Sequence, residues 1–203
     1  VYDIPPARYR AVECVINIIV SGLDDGYIAG ASLRHAFTTG FADDEAYASL
    51  IRGRHKLSLE YTLSYRDYRD RESLAEYRYS LDHRALQLTY SDHDAFGYTM
   101  HNPALKYAYV VDDRYLWEAR LQPRGLRSFS DNIGSGLYTA DGVAGEKLTT
   151  TGRDRTQQFN PSLDLYHWRK LGEKDELSFN LVGTLFSTKR ETKTREQGIT
   201  TGL

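Results

Sequence analysis

Cysteine is nearly absent from this chain, with one residue, Cys14, in 203. A disulfide framework within the chain is therefore impossible, and a cysteine-rich zinc site is excluded. Cys14 falls in an apolar run and reads as a buried, inert thiol. A basic excess is also missing. Lys and Arg number 26 against 28 Asp and Glu, a formal net charge of -2. That balance argues against a dedicated nucleic-acid binder. No apolar run approaches the roughly 20 residues that a membrane helix needs. The longest, residues 15–20, is interrupted by Asn17. The chain opens at Val1 and Tyr2 with neither an initiator Met nor a basic start, so no signal peptide is expected. It is read as beginning inside a longer protein.

What is abundant is tyrosine: 16 residues, against 7 Phe, 2 Trp and 1 Met. A tyrosine has an apolar ring and a polar tip, and suits surfaces that are neither wet nor dry. An aromatic girdle at a membrane interface is one such surface. A tyrosine-rich soluble β-sandwich is another.

The patterning is extended rather than helical. Leu57, Leu59, Tyr61, Leu63 and Tyr65 alternate with Ser58, Glu60, Thr62, Ser64 and Arg66. Strict period two over about ten residues predicts a strand with one apolar and one polar face. Globular strands average about five or six residues, whereas tilted membrane strands need about nine to eleven. The pattern recurs. Leu105, Tyr107 and Tyr109 alternate with Lys106, Ala108 and Val110. Tyr115, Trp117, Ala119 and Leu121 alternate with Leu116, Glu118, Arg120 and Gln122. Leu163, Leu165 and His167 alternate with Asp164 and Tyr166. Leu177, Phe179, Leu181, Gly183 and Leu185 alternate with Ser178, Asn180, Val182, Thr184 and Phe186. Weaker strands are expected over residues 27–37, 45–52 and 86–98.

Polar links at 53–55, 111–114 and 172–175 suit tight hairpins. Stretches 69–84 and 123–158, rich in Gly, Ser, Asp and Arg, read as long loops. Short and long links in alternation are the habit of antiparallel membrane barrels. The end, residues 198–203, reads as loop.

Residues 12–20 break the rhythm. They are almost continuously apolar, which suits a short strand buried on both faces. Residues 21–26 read as a linker. Here the chain resembles a known family. Asp3, Ile4, Pro5, Pro6, Ala7, Arg8 and Tyr9, followed by Val15, Ile16, Asn17, Ile18 and Ile19, look like the end of the plug domain of a TonB-dependent outer-membrane receptor. Two segments further along, Phe159 to Tyr166 and Lys170 to Ser178, are similar to strand–turn–strand units of such receptors in the Bacteroidota. The resemblance implies the end of a plug over residues 1–22. Residues 23–203 would then be the first part of an all-β, antiparallel transmembrane β-barrel, with about seven barrel strands. It implies the bacterial outer membrane as location, membrane lipid and the TonB complex as partners, and an unidentified solute as cargo. The TonB-box, the body of the plug and a closing C-terminal strand have no counterpart in these residues.

No catalytic, cofactor or metal site is expected. Asp92, His93, Asp94 and His101 lie close in sequence, but they read as polar strand-end residues rather than metal ligands. Gly134, Ser135 and Gly136 follow Ile133 without forming a nucleophile elbow. There is no phosphate-cradling glycine loop. Tyr61, Tyr65, Arg66, Tyr68, Arg69 and Arg71 could stack bases and meet phosphates. Asp67 and Asp70 cancel much of that charge, and a strand leaving a membrane through an aromatic belt into a charged rim accounts for the same residues. Glu60, Arg66, Glu118, Arg120 and Asp164 are the candidates to line a watery lumen or meet the plug. The expected role is receptor or transporter wall, without enzymatic activity and without nucleic acid. The rival readings are a soluble β-barrel or β-sandwich binding module, whose apolar face would point inward, and a non-transporting outer-membrane barrel.

Overall fold

The computed structural model describes residues 25–36, 38, 40–112, 114–173 and 175–200. Residues 1–22, assigned above to a plug, and the apolar run around Cys14 lie outside these. The described residues form one antiparallel sheet of eight strands. These are β1 (Gly26–Ala36), β2 (Gly40–Arg52), β3 (His55–Leu81), β4 (Arg84–Val111), β5 (Tyr115–Ala140), β6 (Val143–Lys170), β7 (Glu176–Thr184) and β8 (Ser187–Thr200). Each pairs with the next as far as β7, while β8 continues past β7 along the far half of β6. Eight strands thus fill seven positions across the sheet. Strands β1 and β7 are its edges and do not pair with each other, so the sheet is open.

The tight turns fall where the polar links predicted them. Gly53, with φ 56°, occupies the first of two central residues between β2 and β3, the place where a II′ hairpin turn requires glycine. The other end of the sheet corrects the sequence reading. The stretches 69–84 and 123–158 are not loops. They are continuations of β3–β4 and β5–β6, closed by two-residue turns at Asp82–His83 and Asp141–Gly142. All four turn residues have positive φ, as a I′ turn demands. Pro123 and the Gly- and Ser-rich residues after it suggested loop. Partners on the neighbouring strands overrode that local preference, because Pro123 lies opposite Pro161 and the ladder runs on to Ala140. Residues 198–200, also read as loop, belong to β8.

Strands β3 to β6 are therefore 26 to 28 residues long. At about 3.3 Å per residue they extend roughly 90 Å. The register brings the five apolar sets onto one face, here called the front. Leu59, Leu105, Leu121 and Leu163 form one row across the sheet, and Leu57, Tyr107, Ala119, Leu165 and Leu181 form the next. These side chains are not covered: Leu59 is 50% exposed, Leu105 42%, Leu121 43% and Leu181 49%.

Prolines cross this zone. Pro103 on β4 lies opposite Tyr61, and Pro123 opposite Pro161. Proline has no N–H to give a ladder. The β4–β5 pairing opens between Leu105 and His101 and resumes in the same register. Beside it, β7 gives way to β8 at Leu185, whose N–H bonds the Pro161 carbonyl (3.0 Å).

Beyond the belt the two faces exchange character. An extra residue in β3 between Tyr68 and Arg71 reverses which of its residues face front. The back face then gathers Tyr77, Tyr79, Leu86, Leu88, Tyr90, Tyr138 and Leu148, and Leu86 is 7% exposed. Tyr90 lies across Gly134 and reaches Thr150 (3.2 Å), an aromatic ring filling the space a glycine leaves. The front face turns polar there, with Glu72, Glu76, Arg78, Gln87, His93, Asp131 and Arg153. Leu74, Phe129, Ile133 and Leu137 are the large apolar exceptions.

Candidate functional site

The back face of the belt carries the polar sets. All five candidate lumen residues, Glu60, Arg66, Glu118, Arg120 and Asp164, fall on it. Four of them come together. Lys106 lies opposite Arg120, and Arg120 opposite Asp164, so one row across β4, β5 and β6 sets two cations beside a carboxylate. Glu118 sits in the adjacent row beside Tyr166. Glu60 accepts a hydrogen bond from the Lys106 ammonium at 2.6 Å. A depression of about 400 Å³ opens among Ser58, Glu60, Lys106, Glu118, Arg120 and Asp164. Lys106 is thus a functional candidate that the candidate set omitted. The signal was present, since it stands in the polar register of the Leu105–Tyr109 alternation.

Arg66 is elsewhere. It sits six residues along β3 from Glu60, roughly 20 Å away. Its guanidinium grips Asp43 with two bonds of 2.9 Å and donates to the Ala42 and Tyr65 carbonyls. The same group lies 3.9 Å above the Phe41 ring. This two-pronged, stacked arrangement ties β2 to β3, and all of its polar contacts go to the protein itself.

The other basic residues of that run are paired one by one. Arg69 meets Asp67 (2.5 Å) and Arg71 meets Asp94 (3.0 Å). Arg69 faces front and Arg66 and Arg71 face back, so they make no single cationic stripe. The Asp92–His93–Asp94 segment is divided in the same way: His93 faces front while both aspartates face back. Among the described residues no three His, Cys, Asp or Glu side chains gather as a metal site would need. Burial, and then the neighbouring Asp94, pushes the Asp92 carboxyl above its usual range.

The front belt is bounded by rings on both sides. Near the short turns, His55 and Tyr109 lie 5.0 Å apart, Tyr109 and Tyr115 5.9 Å, Tyr115 and His167 5.0 Å, and Trp117 and His167 5.3 Å. Tyr107 reaches His55 with its hydroxyl (2.8 Å). At the opposite border, Tyr61 and His101 are joined at 2.7 Å, with Phe159 in the His101 row. Residues 115–125 run from one border to the other. They cover about 36 Å of strand, which a tilt of 35–45° would project to about 25–30 Å.

Outside this border the front face is ionic. Asp131 accepts two bonds of 2.7 Å from Arg155, which hold its carboxyl below the usual 3.8 despite partial burial. Asp154, on the back, is lowered likewise by Arg190 and Thr192. At the far tips, Asp141 accepts from the Ala85 N–H (2.9 Å) and the Arg84 guanidinium (3.0 Å), binding the two hairpins together.

No family model matches this chain, and no curated protein matches it. Among solved structures, one described as a pore forming protein is similar over 87% of this chain and 94% of that chain. The sequence identity is 9% and the TM-score 0.20. A likeness at that level carries no argument about fold or function.

Proposed function

We propose that this chain is wall from a bacterial outer-membrane β-barrel, and, from the resemblance of residues 3–19, from a TonB-dependent receptor that takes up a solute. One observation supports it above the rest. An exposed aliphatic band crosses the sheet on one face only, with aromatic rings along both borders and ionic pairs on the other face. Water gives no reason to leave Leu59, Leu105, Leu121 and Leu163 uncovered in a row, whereas hydrocarbon does. Backbone groups within the band are paired strand to strand between β3 and β4 and between β5 and β6, as a lipid environment favours, and the β4–β5 pairing opens only around Pro103 and Pro123. On this reading the front of the belt meets lipid and the back meets the lumen or the plug. The short turns at 53–54, 112–114 and 171–175 stand on the periplasmic rim. The long β3–β4 and β5–β6 ribbons reach outside the cell, where they help capture the solute.

The test is a cysteine scan of the full-length protein, with Cys14 replaced by Ser. Cysteines at Leu105, Leu121 and Leu163 should react with a lipid-soluble maleimide and resist a charged one. Cysteines at Ser58, Lys106 and Gln122 should do the reverse. Heat-modifiable migration and detergent dependence should accompany this. A compact, detergent-free monomer in which the leucine positions are shielded from both reagents would instead favour the soluble barrel or sandwich, with the front face turned inward.

A further inference from the structure

The outer border of the belt holds a groove whose two halves differ in chemistry. It has a volume of about 570 Å³, and His101, Gly125, Arg127, Gln157, Phe159 and Lys189 line it. The register explains why it exists. His101, Gly125, Phe159 and Ser187 form one front row, and Thr99, Arg127, Gln157 and Lys189 form the next row outward. Gly125 puts no side chain between His101 and Phe159, so the floor of the groove is notched there. A β-carbon built on Gly125 would meet nothing within 4 Å.

Arg127 and Lys189 crown the notch. Neither has a carboxylate partner within ion-pair distance among the described residues. The acids around them are already engaged. Glu191, two residues along β8, is held by Lys193 (2.7 Å), Asp131 by Arg155 (2.7 Å), and Asp67 by Arg69 (2.5 Å). Gln157 adds amide donors between the two cations. On the inner side the groove is bounded by His101 and Phe159, and the aliphatic rows begin two front rows further in, at Leu121 and Leu163. A fork of N–H donors, an ammonium and an amide above a hydrocarbon-facing wall complement a phosphate joined to acyl chains.

We infer that this groove binds a phosphorylated lipid, the phosphate between Arg127 and Lys189 and the chains lying along the front belt. The inference rests on the membrane reading above. A free anion would use only the outer half of the groove, and a neutral lipid only the inner half.

Native mass spectrometry of the full-length protein, extracted in neutral detergent, tests it. The probes are phosphatidic acid, phosphatidylcholine and inorganic phosphate. Phosphatidic acid should be retained in preference to phosphatidylcholine, and millimolar inorganic phosphate should not displace it. The double variant Arg127→Gln, Lys189→Gln should weaken retention about thirtyfold, from two cations near a membrane surface. The exchange Arg127→Lys with Lys189→Arg should restore it. Equal retention of the two lipids, an unchanged glutamine variant, or displacement by inorganic phosphate overturns the inference. If the protein still needs detergent and still shifts on heating, the membrane reading survives that result. If it needs neither and holds no lipid, both fall.

Discussion

The inner and outer halves of β3 to β6 are the same strands, yet they solve opposite problems. In the inner half, large apolar side chains stand on the front face and charges on the back. In the outer half the back collects tyrosine and leucine, and the front carries Glu76, Arg78, Gln87 and Arg153. A single alternation carried along 27 residues would have kept one face apolar throughout. The apolar face instead switches sides partway along the strands. On the proposed membrane reading, lipid meets the front of the inner half and water the front of the outer half, and the apolar set moves to the back where the surroundings become wet. The bulge between Tyr68 and Arg71 lets β3 make that change, while β4 makes it by shifting which of its positions are apolar.

The sharpest way to break this comparison uses one strand and one face. Leu121→Arg puts a charge in the belt and should cost about 2–4 kcal/mol. Ile133→Arg, twelve residues on and also facing front, should stay within about 0.5 kcal/mol. Urea unfolding of the full-length protein in lipid vesicles measures both. Equal costs would mean that the halves share one environment.

A second contrast sits in the outer half alone. Leu86→Ala removes the most covered side chain of its back face and should cost about 2 kcal/mol. Gln87→Ala, on the front, should cost little. Hydrogen exchange of the β4–β5 ribbon amides would report the difference, and a larger effect from Gln87 would reverse the assignment of faces.

Gly142→Ala should be milder, about 1 kcal/mol, because Gly142 sits at φ 81° where a β-carbon is strained. Its effect should stay at the tip, speeding exchange near Ala85 and Ala140 while leaving the belt unchanged. Loss of heat-modifiable migration in this variant would mean that tip and belt fold as one unit.

The smallest expected effect is a pH dependence confined to the outer half. Arg155 holds the folded Asp131 carboxyl below 3.8, so the stability from this pair is present above that value. It is lost as pH falls through the lower, folded value. Thermal melts of the ribbon between pH 5 and pH 2 should therefore slope downward toward acid. Asp131→Asn should flatten part of that slope, and an unaltered slope would show that the pair contributes nothing.

Much of this was legible in the residues, and for a local reason. Period two is a property of neighbours along the chain, so Leu57 to Arg66 and Leu177 to Leu185 declare two-faced strands by themselves. The turn at Gly53 declares itself too. The outer turns were equally local: Asp141–Gly142 between Ala140 and Val143 is a hairpin signal. It was masked by Pro123 and by the glycines and serines that follow. Those residues form strand because β4 and β6 lie on either side and complete their hydrogen bonds, which no window on β5 alone can reveal.

The sequence by itself determined that this chain makes long strands with unlike faces, linked by tight polar turns. Only the tertiary structure decided which positions stand side by side. It set Lys106 beside Arg120 and Asp164, kept Arg66 apart on Asp43, turned two supposed loops into ribbons, and placed Gly125 between His101 and Phe159 beneath Arg127 and Lys189. The physical reason is register. Alternation fixes what a strand offers, but pairing across strands, with one inserted residue able to reverse a face, fixes what those offers meet.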